Sequence, residues 1–341
     1  MKTRHITRIA LAAASIAAVS APAQAEKLLL KSLQAGSAYH VFHTRLATVV
    51  KKHTDHEIQV SIGTAPPKAT LEVAMGRVDL AFSAPTIIGM RQKKIAMYAK
   101  LEQAPELAKN LRVITSHSGG WYQLAVYADS GIKSLKDIKG KTLWLAYKGG
   151  AANRVMVSVF EGVTGYKAGK DFQVSPLAGQ ASVQAFQDGQ LDMWALPTEL
   201  PSQVIQQFAL TRKIRLISFS EADFSNPAMK RVLAFPGRRR ITLSPKLNGA
   251  NQANTEPVKT IGTTGALLTS KFAKEQFIYE ITKALWTHID EIHKAARYMP
   301  NFINKKSMFN DMNVPLHVGA YRYYKEAGFK IPQHVIPPEA K

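Results

Sequence analysis

Apolar and polar positions change period several times along the chain, and each change predicts a strand followed by a helix. Residues 28–34 begin as an apolar strand and end at the turn 36–39. Apolar residues then recur at Phe42, Leu46 and Val49, at the three- and four-residue intervals of an amphipathic helix. The same order of strand, turn and helix recurs further along. The pattern predicts an α/β fold with mostly parallel sheets covered by helices.

One helix–glycine–strand segment occurs twice in similar form. Residues 74–85 read AMGRVDLAFSAP, and residues 186–197 read FQDGQLDMWALP. With 341 residues the chain is long enough for two domains, and the repetition predicts two similar α/β lobes rather than one extended sheet. We expect a ligand cleft between the lobes and a hinge in the crossing strands. The predicted limits are 26–117 with 225–341 for lobe 1, 118–224 for lobe 2, and 118–127 with 256–268 for the hinge.

Small and polar residues occupy five loops that follow predicted strands. In open α/β sheets, ligands bind at the carboxyl ends of strands, where helix N-termini offer free N–H groups. Glycine and small side chains there let backbone amides approach a carboxylate or a similar anion. The candidate ligand-binding residues are Gly36, Ser37, Tyr39, Thr64, Ser83, Ala84, Thr86, Lys148, Gly149, Gly150, Asn153, Trp194, Thr198 and Glu199.

Several of these residues also have a purely structural interpretation. A glycine or serine turn after a strand is commonly a helix cap. Lys148 either meets a bound anion or is a surface lysine, and Trp194 either stacks on a ligand ring or fills the core. Glu199 either accepts from a ligand amine or caps a helix start. The sequence leaves these alternatives open.

The first 25 residues have the composition of an export signal. Lys2, Arg4 and Arg8 form a basic start, an apolar run follows, and the segment closes with the small residues of Ala23-Gln24-Ala25. We therefore predict cleavage after this segment and a periplasmic mature protein. No later segment is long and apolar enough to cross a bilayer, so we do not expect the protein to span the membrane.

The net charge of +21 raises the question of an acidic partner. The charge is scattered, and an export signal argues against nucleic acid as a partner. We expect the basic surface to steer an anionic ligand or to favour docking to an acidic membrane protein. The one dense run, Arg238-Arg239-Arg240 after Pro236-Gly237, is interpreted as a solvated turn.

Enzymatic function finds no support in the motifs. The absence of cysteine excludes thiol catalysis and cysteine-based metal sites. The ten histidines do not have the spacing of a metal set, although the polar turn 53–57 could bind a metal adventitiously. There is no Gly-x-Ser-x-Gly elbow, phosphate-binding loop or dinucleotide fingerprint. We expect a protein that is not an enzyme and has no cofactor and no metal site.

Four segments carry a family resemblance. They are ADSGIKSLKDIKGKTLWL (128–145), DGQLDMW (188–194), ITKALWTHIDEI (281–292) and VPLHVGAYRYYKEAG (314–328). In this order they resemble the TAXI family of solute receptors, the periplasmic binding proteins of TRAP transporters. The resemblance implies a two-lobed periplasmic-binding-protein fold of type II that closes on a small organic anion, with carboxylates favoured. It also implies delivery to a TRAP-type permease that an ion gradient drives, and we expect the receptor to act as a monomer.

Two departures from that family's pattern bear on the ligand. His40 stands where the family has a second tyrosine, and Pro66 and Pro67 remove backbone donors from the second loop. Fewer donors favour a less polar carboxylate, aromatic or branched, because unpaired buried polar groups are costly. Two other functions stay open: a binding protein of an ABC importer for sulfonate-like or thiamine-precursor-like solutes, and a periplasmic ligand sensor.

The tyrosine-rich segment near the C-terminus is interpreted as scaffold. Residues 320–328 are predicted to form a helix that ends at Gly328. Tyr321, Tyr323 and Tyr324 cover more than one face of such a helix, so at least one should pack against the body of the protein.

Overall fold

The computed structural model describes residues 27–33, 35–177 and 179–340, and the predicted export signal lies outside these residues. Strands and helices alternate along the described chain, as the sequence predicts. The strands are β1 (Lys27–Lys31), β2 (Glu57–Ser61), β3 (Leu80–Ser83), β4 (Leu111–Tyr127), β5 (Thr142–Leu145), β6 (Gln173–Val174), β7 (Met193–Thr198), β8 (Ile214–Leu216), β9 (Arg238–Leu243) and β10 (Val258–Ser270). The helices are α1 (Ala38–His53), α2 (Pro66–Ala74), α3 (Pro85–Gln92), α4 (Ala104–Ala108), α5 (Ala151–Thr164), α6 (Gly179–Gln187), α7 (Gln203–Phe208), α8 (Glu221–Ser225), α9 (Pro227–Leu233), α10 (Glu275–Thr287), α11 (Ile289–His293), α12 (Met299–Phe302) and α13 (Val318–Glu326).

The strands form one continuous mixed sheet in the order β2-β1-β3-β10-β4-β7-β5-β6, with β8 on β4 and β9 on β10. The outer strands pair in parallel at both ends, β2-β1-β3 at one end and β7-β5-β6 at the other. The centre is antiparallel, because β10 and β4 run against each other and against their neighbours. The predicted α/β class is confirmed. The expectation of separate sheets was wrong, because the long strands β4 and β10 hydrogen-bond the two halves into one sheet.

The apolar segments RVITS (112–116) and YQLAVYA (122–128) each predict a separate strand, and the structure joins them in the single strand β4. Its 17 residues include Gly119 and Gly120, which lie at a register shift opposite Thr263 and Thr264 of β10. A Cβ atom on Gly119 would lie 2.6 Å from the Thr263 hydroxyl, so the two strands cross too closely for any side chain at this position. The crossing lies within the predicted hinge strands, and the hinge motion itself stays a prediction.

Three apolar clusters define two halves of the molecule. One cluster packs β1, β2 and β3 against α1, α2, α10 and α13, and we call this part the first half. The other two lie on opposite faces of β5 and β7 and form the second half. Leu143 and Leu145 enter one of these clusters while Trp144 enters the other, as the alternation of a strand requires. The predicted lobe limits stay a prediction, and Met229 and Val232 of α9 pack with the second half.

The arginine run is part of strand β9, so the interpretation as a solvated turn was wrong. Arg239 donates to the Asp311 carboxylate and to the Thr264 hydroxyl, and Arg240 pairs with Glu221. Antiparallel pairing with β10 extends from Arg238 to Leu243 and provides the backbone partners that make a strand of this segment. The three arginines therefore have separate environments.

Candidate ligand-binding cleft

Two cavities lie between the halves of the molecule, and they share the side chains of Tyr147 and Leu196. The smaller has a volume of about 490 Å³ and the larger about 990 Å³. Both volumes lie within the range of about 300–1,000 Å³ that is typical of small-molecule sites in proteins. Together they form the cleft that the sequence predicts between its two halves.

The smaller cavity is aromatic and carries one carboxylate. Trp144 and Trp194 stack with ring centroids 5.0 Å apart on the side of the second half, while Tyr39 and Phe302 pack edge to face on the other side. Glu199 is the single charged residue among those lining this cavity. Its carboxylate accepts hydrogen bonds from the Thr198 hydroxyl and from the first backbone N–H of α7.

Burial and the Glu199 carboxylate act together on nearby phenols. Burial raises the pKa of Tyr39, and the negative charge of Glu199 raises it further. The same two causes raise the pKa of Tyr298 to about 12. Both phenols therefore stay neutral, and the Tyr39 hydroxyl donates to the carbonyl of Gly119. This side of the cleft presents aromatic faces and one negative charge.

The larger cavity is mostly apolar, and all its charged groups are cationic. Its walls in the first half come from the start of α2, from α3 and from the segment after α3, with no charged residue among them. Its walls in the second half come from α5, α9 and the start of β9. These include Arg154, Arg231 and Arg238, and no acidic residue of the described chain lines the cavity.

Arg238 is the most enclosed of these three arginines. Its guanidinium lies 5.2 Å from the ring of Phe235, and burial lowers the pKa of Arg238 below its ordinary value. Within the described ranges the guanidinium has no ion-pair partner, and the one charge partner that affects it is the phenol of Tyr122. Since arginine stays protonated in proteins, it retains a desolvated positive charge without a counterion.

A fourth guanidinium lies behind the wall of the larger cavity. Arg91, on α3, is fully buried and stacks over the ring of Tyr98 at 4.4 Å. Its Nε and Nη1 atoms have no hydrogen-bond partner among the described residues, and its Nη2 lies 3.5 Å from the carbonyl of Pro67. Because Pro67 lines the cavity and Arg91 does not, the guanidinium lies behind the first-half wall and is not part of the cavity surface.

The structure divides the fourteen predicted site residues into three groups. Six line the smaller cavity: Gly36, Ser37, Tyr39, Trp194, Thr198 and Glu199. Two line the larger cavity: Thr86 and Gly150. Six line neither cavity: Thr64, Ser83, Ala84, Lys148, Gly149 and Asn153.

Four of the six residues outside these two cavities have structural roles: Ser83, Ala84, Gly149 and Asn153. The Ser83 hydroxyl is buried and lies 2.8 Å from the hydroxyl of Thr70, and Ala84 is the N-cap residue that precedes helix α3. Asn153 bonds to the carbonyl of Leu145 and accepts from the N–H of Gly149, which fixes the turn before α5. Lys148 is exposed on that turn, and the structure places it outside both cavity walls. Helix capping, the alternative left open for this kind of turn, also describes Ser37, which accepts from the N–H of His40.

One cluster of titratable groups lines neither cavity. His53, His288 and Glu291 have ligand-type atoms within 4.8 Å of one another. The two imidazole rings are stacked 3.5 Å apart and nearly parallel, so their in-plane lone pairs do not converge on one ion. Hydrogen bonds from His53 and then Lys52 hold the pKa of Glu291 down at about 2. Stacking and ion pairing account for this cluster.

Two α/β halves joined by crossing strands, with ligand-sized cavities between them, have the architecture of a solute-binding protein. The sequence matches the NMT1-like family over residues 34–328. The chain therefore belongs to the NMT1-like family, whose members are solute-binding proteins and not enzymes. No helix in the described ranges has the length and apolar composition to cross a membrane.

Three solved structures show similarity over most of the chain. The periplasmic aliphatic sulphonate binding protein SsuA from Escherichia coli is 14% identical, with 91% of this chain and 96% of that one covered and a TM-score of 0.46. A TctC solute binding protein from Polaromonas is 14% identical, with 82% and 90% covered and a TM-score of 0.49. The ectoine binding protein TeaA of the TeaABC TRAP transporter is 13% identical, with 88% and 90% covered and a TM-score of 0.45.

Proposed function

We propose that this protein is an extracytoplasmic solute receptor that binds a small organic anion, a carboxylate, and delivers it to a TRAP-type permease driven by an ion gradient. The observation that carries the ligand class is Arg238, a half-buried guanidinium on the wall of the larger cavity with no carboxylate partner in the described chain. Buried charges in proteins are normally paired. A ligand anion would supply the missing counterion.

The charge distribution favours the larger cavity as the anion site. Arg154 and Arg231 lie on the same wall as Arg238, and neither pairs with a carboxylate among the described residues. In the smaller cavity the Glu199 carboxylate is held by two donors and faces no cation from the lining residues. An anion there would meet like charge in a partly desolvated space, which is unfavourable.

The permease and the compartment rest on the sequence. The resemblance of residues 128–145 and 314–328 to TRAP receptors supports the permease class. The basic start, apolar run and small-residue end of residues 1–25 support export to the periplasm. The high positive charge of the chain fits either ligand steering or docking to an acidic membrane partner.

The test is ligand binding by the mature protein and by two arginine variants. Thermal melting is measured against a panel of carboxylates, sulfonates, phosphates and neutral amines, and dissociation constants for the best carboxylate follow by calorimetry. Arg238→Gln removes the cavity guanidinium, and Arg240→Gln is the matched control, because Arg240 pairs on the surface with Glu221. A lost charge-assisted hydrogen bond weakens binding about tenfold to a hundredfold, or about 1.5–3 kcal/mol.

The outcomes separate clearly. Carboxylate binding that Arg238→Gln weakens and Arg240→Gln leaves unchanged supports the proposal. Stabilisation by sulfonates alone would overturn the carboxylate assignment. Equal binding by the wild type and by Arg238→Gln would show that the anion binds elsewhere.

A further inference from the structure

We infer that the ligand has one anionic group attached to an apolar body of several carbon atoms, and that this body lies against the first half of the molecule. The inference rests on the proposed function and specifies its substrate class. Its evidence is the composition of the cavity walls. This evidence is separate from the absence of an ion-pair partner for Arg238, which supports the proposed function.

The two walls of the larger cavity differ in chemistry. On the first-half side the lining side chains include Pro66, Ile87, Met90 and Met97, and no charged side chain lines the cavity there. All three lining cations come from the second half. A bound molecule would therefore direct its charge towards the second half and its apolar surface towards the first half. A compact polyanion such as a small di- or tricarboxylate has no surface that matches the first-half wall.

Some apolar side chains at this cavity are exposed to solvent. Met97 is 46% exposed and lies on the cavity wall, next to Ala96, which also lines it. On the opposite wall, Phe235 and Val232 add an aromatic and an aliphatic surface. Exposed apolar surface inside a cleft marks a binding site more often than a scattered surface residue does. Unbranched methionine side chains also adapt their shape to different apolar ligands.

The volume is large for a short polar acid. The cavity of about 990 Å³ lies at the upper end of the range of about 300–1,000 Å³ for small-molecule sites. A four-carbon acid would leave most of that space filled with water against apolar walls. Each methylene group that displaces such water gains about 0.8 kcal/mol, which is about a fourfold gain in affinity.

The experiment is a homologous series of linear monocarboxylates, with butanoate, hexanoate, octanoate and decanoate as probes and succinate as the polar comparison. We expect the dissociation constant to fall about threefold to fourfold per added methylene until the cavity is filled. An affinity that does not rise with chain length, or succinate binding more tightly than octanoate, would overturn the inference. If succinate binds more tightly than octanoate and its binding depends on Arg238, the proposed function stands and only the inference of an apolar ligand body fails.

A wall variant separates binding in this cavity from adsorption elsewhere. Met97→Gln keeps the side-chain length and, because Met97 is already partly exposed, should not disturb folding. It should lower the affinity for octanoate severalfold and leave that for butanoate nearly unchanged. The control is Leu210→Gln, at a residue that is 80% exposed and lines neither cavity. Equal loss of octanoate binding in both variants would show that the chain adsorbs non-specifically.

Discussion

Removing the hydroxyl group of Tyr324 tests whether the tyrosine-rich C-terminal helix is scaffold, as the sequence indicates. Tyr324 is fully buried on α13, and its hydroxyl donates to the carbonyl of Ile114 at 2.9 Å. The same oxygen accepts from the indole N–H of Trp286 on α10 at 2.8 Å. The packing prediction for this helix is therefore confirmed, and one hydroxyl joins α13, α10 and β4. Tyr324→Phe removes that oxygen while preserving the ring.

The expected cost follows from the two groups left unpaired. In the variant, the Trp286 N–H and the Ile114 carbonyl both lose their partner in the interior, where each unsatisfied group costs about 1–3 kcal/mol. The total cost should be smaller than the sum of these two penalties, because the site can relax around the missing oxygen and the aromatic ring is retained. We expect the free energy of unfolding to fall by about 2–4 kcal/mol and the melting temperature by several degrees.

Urea unfolding of the mature protein measures this change, with Tyr323→Phe as the matched control. Tyr323 is adjacent and partly exposed, and its hydroxyl makes no hydrogen bond to a described residue. Its substitution should change stability by less than about 0.5 kcal/mol. A double-mutant cycle with Trp286→Phe should then show coupling of about 1 kcal/mol between the two side chains. Loss below 0.5 kcal/mol in Tyr324→Phe would refute the assigned network.

Two further predictions concern the buried interior. Burial lowers the pKa of His117 from 6.5 to about 4. The unfolded chain therefore binds this proton at a higher pH than the folded protein does, and the free energy of unfolding should fall by about 3 kcal/mol as the pH drops from 6.5 to 4. In urea unfolding, a His117→Phe variant should lose this part of the pH dependence. In a Gly319→Ala variant the new Cβ would lie 2.1 Å from the Glu275 carbonyl oxygen. The cost of this clash should exceed the ~1 kcal/mol gained in helix propensity, so we expect a net loss of stability. A melting temperature at or above the wild-type value, measured by calorimetry, would contradict the close packing of α13 on α10.

Local patterns were sufficient to predict most elements of the fold. Helix α1 follows the spacing of Phe42, Leu46 and Val49, all of which are buried. Ser134 caps a short 3-10 helix with Asp137, a contact that depends only on residues three apart. The single sheet was not predictable in the same way. Its continuity depends on pairing between β4 and β10, which are far apart in sequence and whose local pattern does not specify a partner.

The candidate site was predicted only in part. The position of a loop after a strand follows from the local sequence, whereas the composition of a cavity wall depends on which distant segments the fold brings together. Eight of the fourteen predicted residues line one of the two cavities. The larger cavity is built mainly from residues that the loop argument did not consider, such as Met90 on α3 and Phe235 before β9. Arg238 was visible as part of a basic run, but only the fold distinguishes it from its two paired neighbours.

The opposite charges of the two cavities give the cleft a means of rejecting ligands as well as binding them. Specificity is a difference between affinities, and a repulsive group lowers the affinity for the wrong ligand. Glu199 lies beside Tyr39 and Tyr298, whose neutral phenols do not compensate its charge. A ligand with a second anionic group near Tyr147, where the cavities meet, would approach this carboxylate. On the proposed function, a monoanion at Arg238 with an apolar body would avoid that cost, and the Glu199 carboxylate and the apolar first-half wall would both select against dicarboxylates.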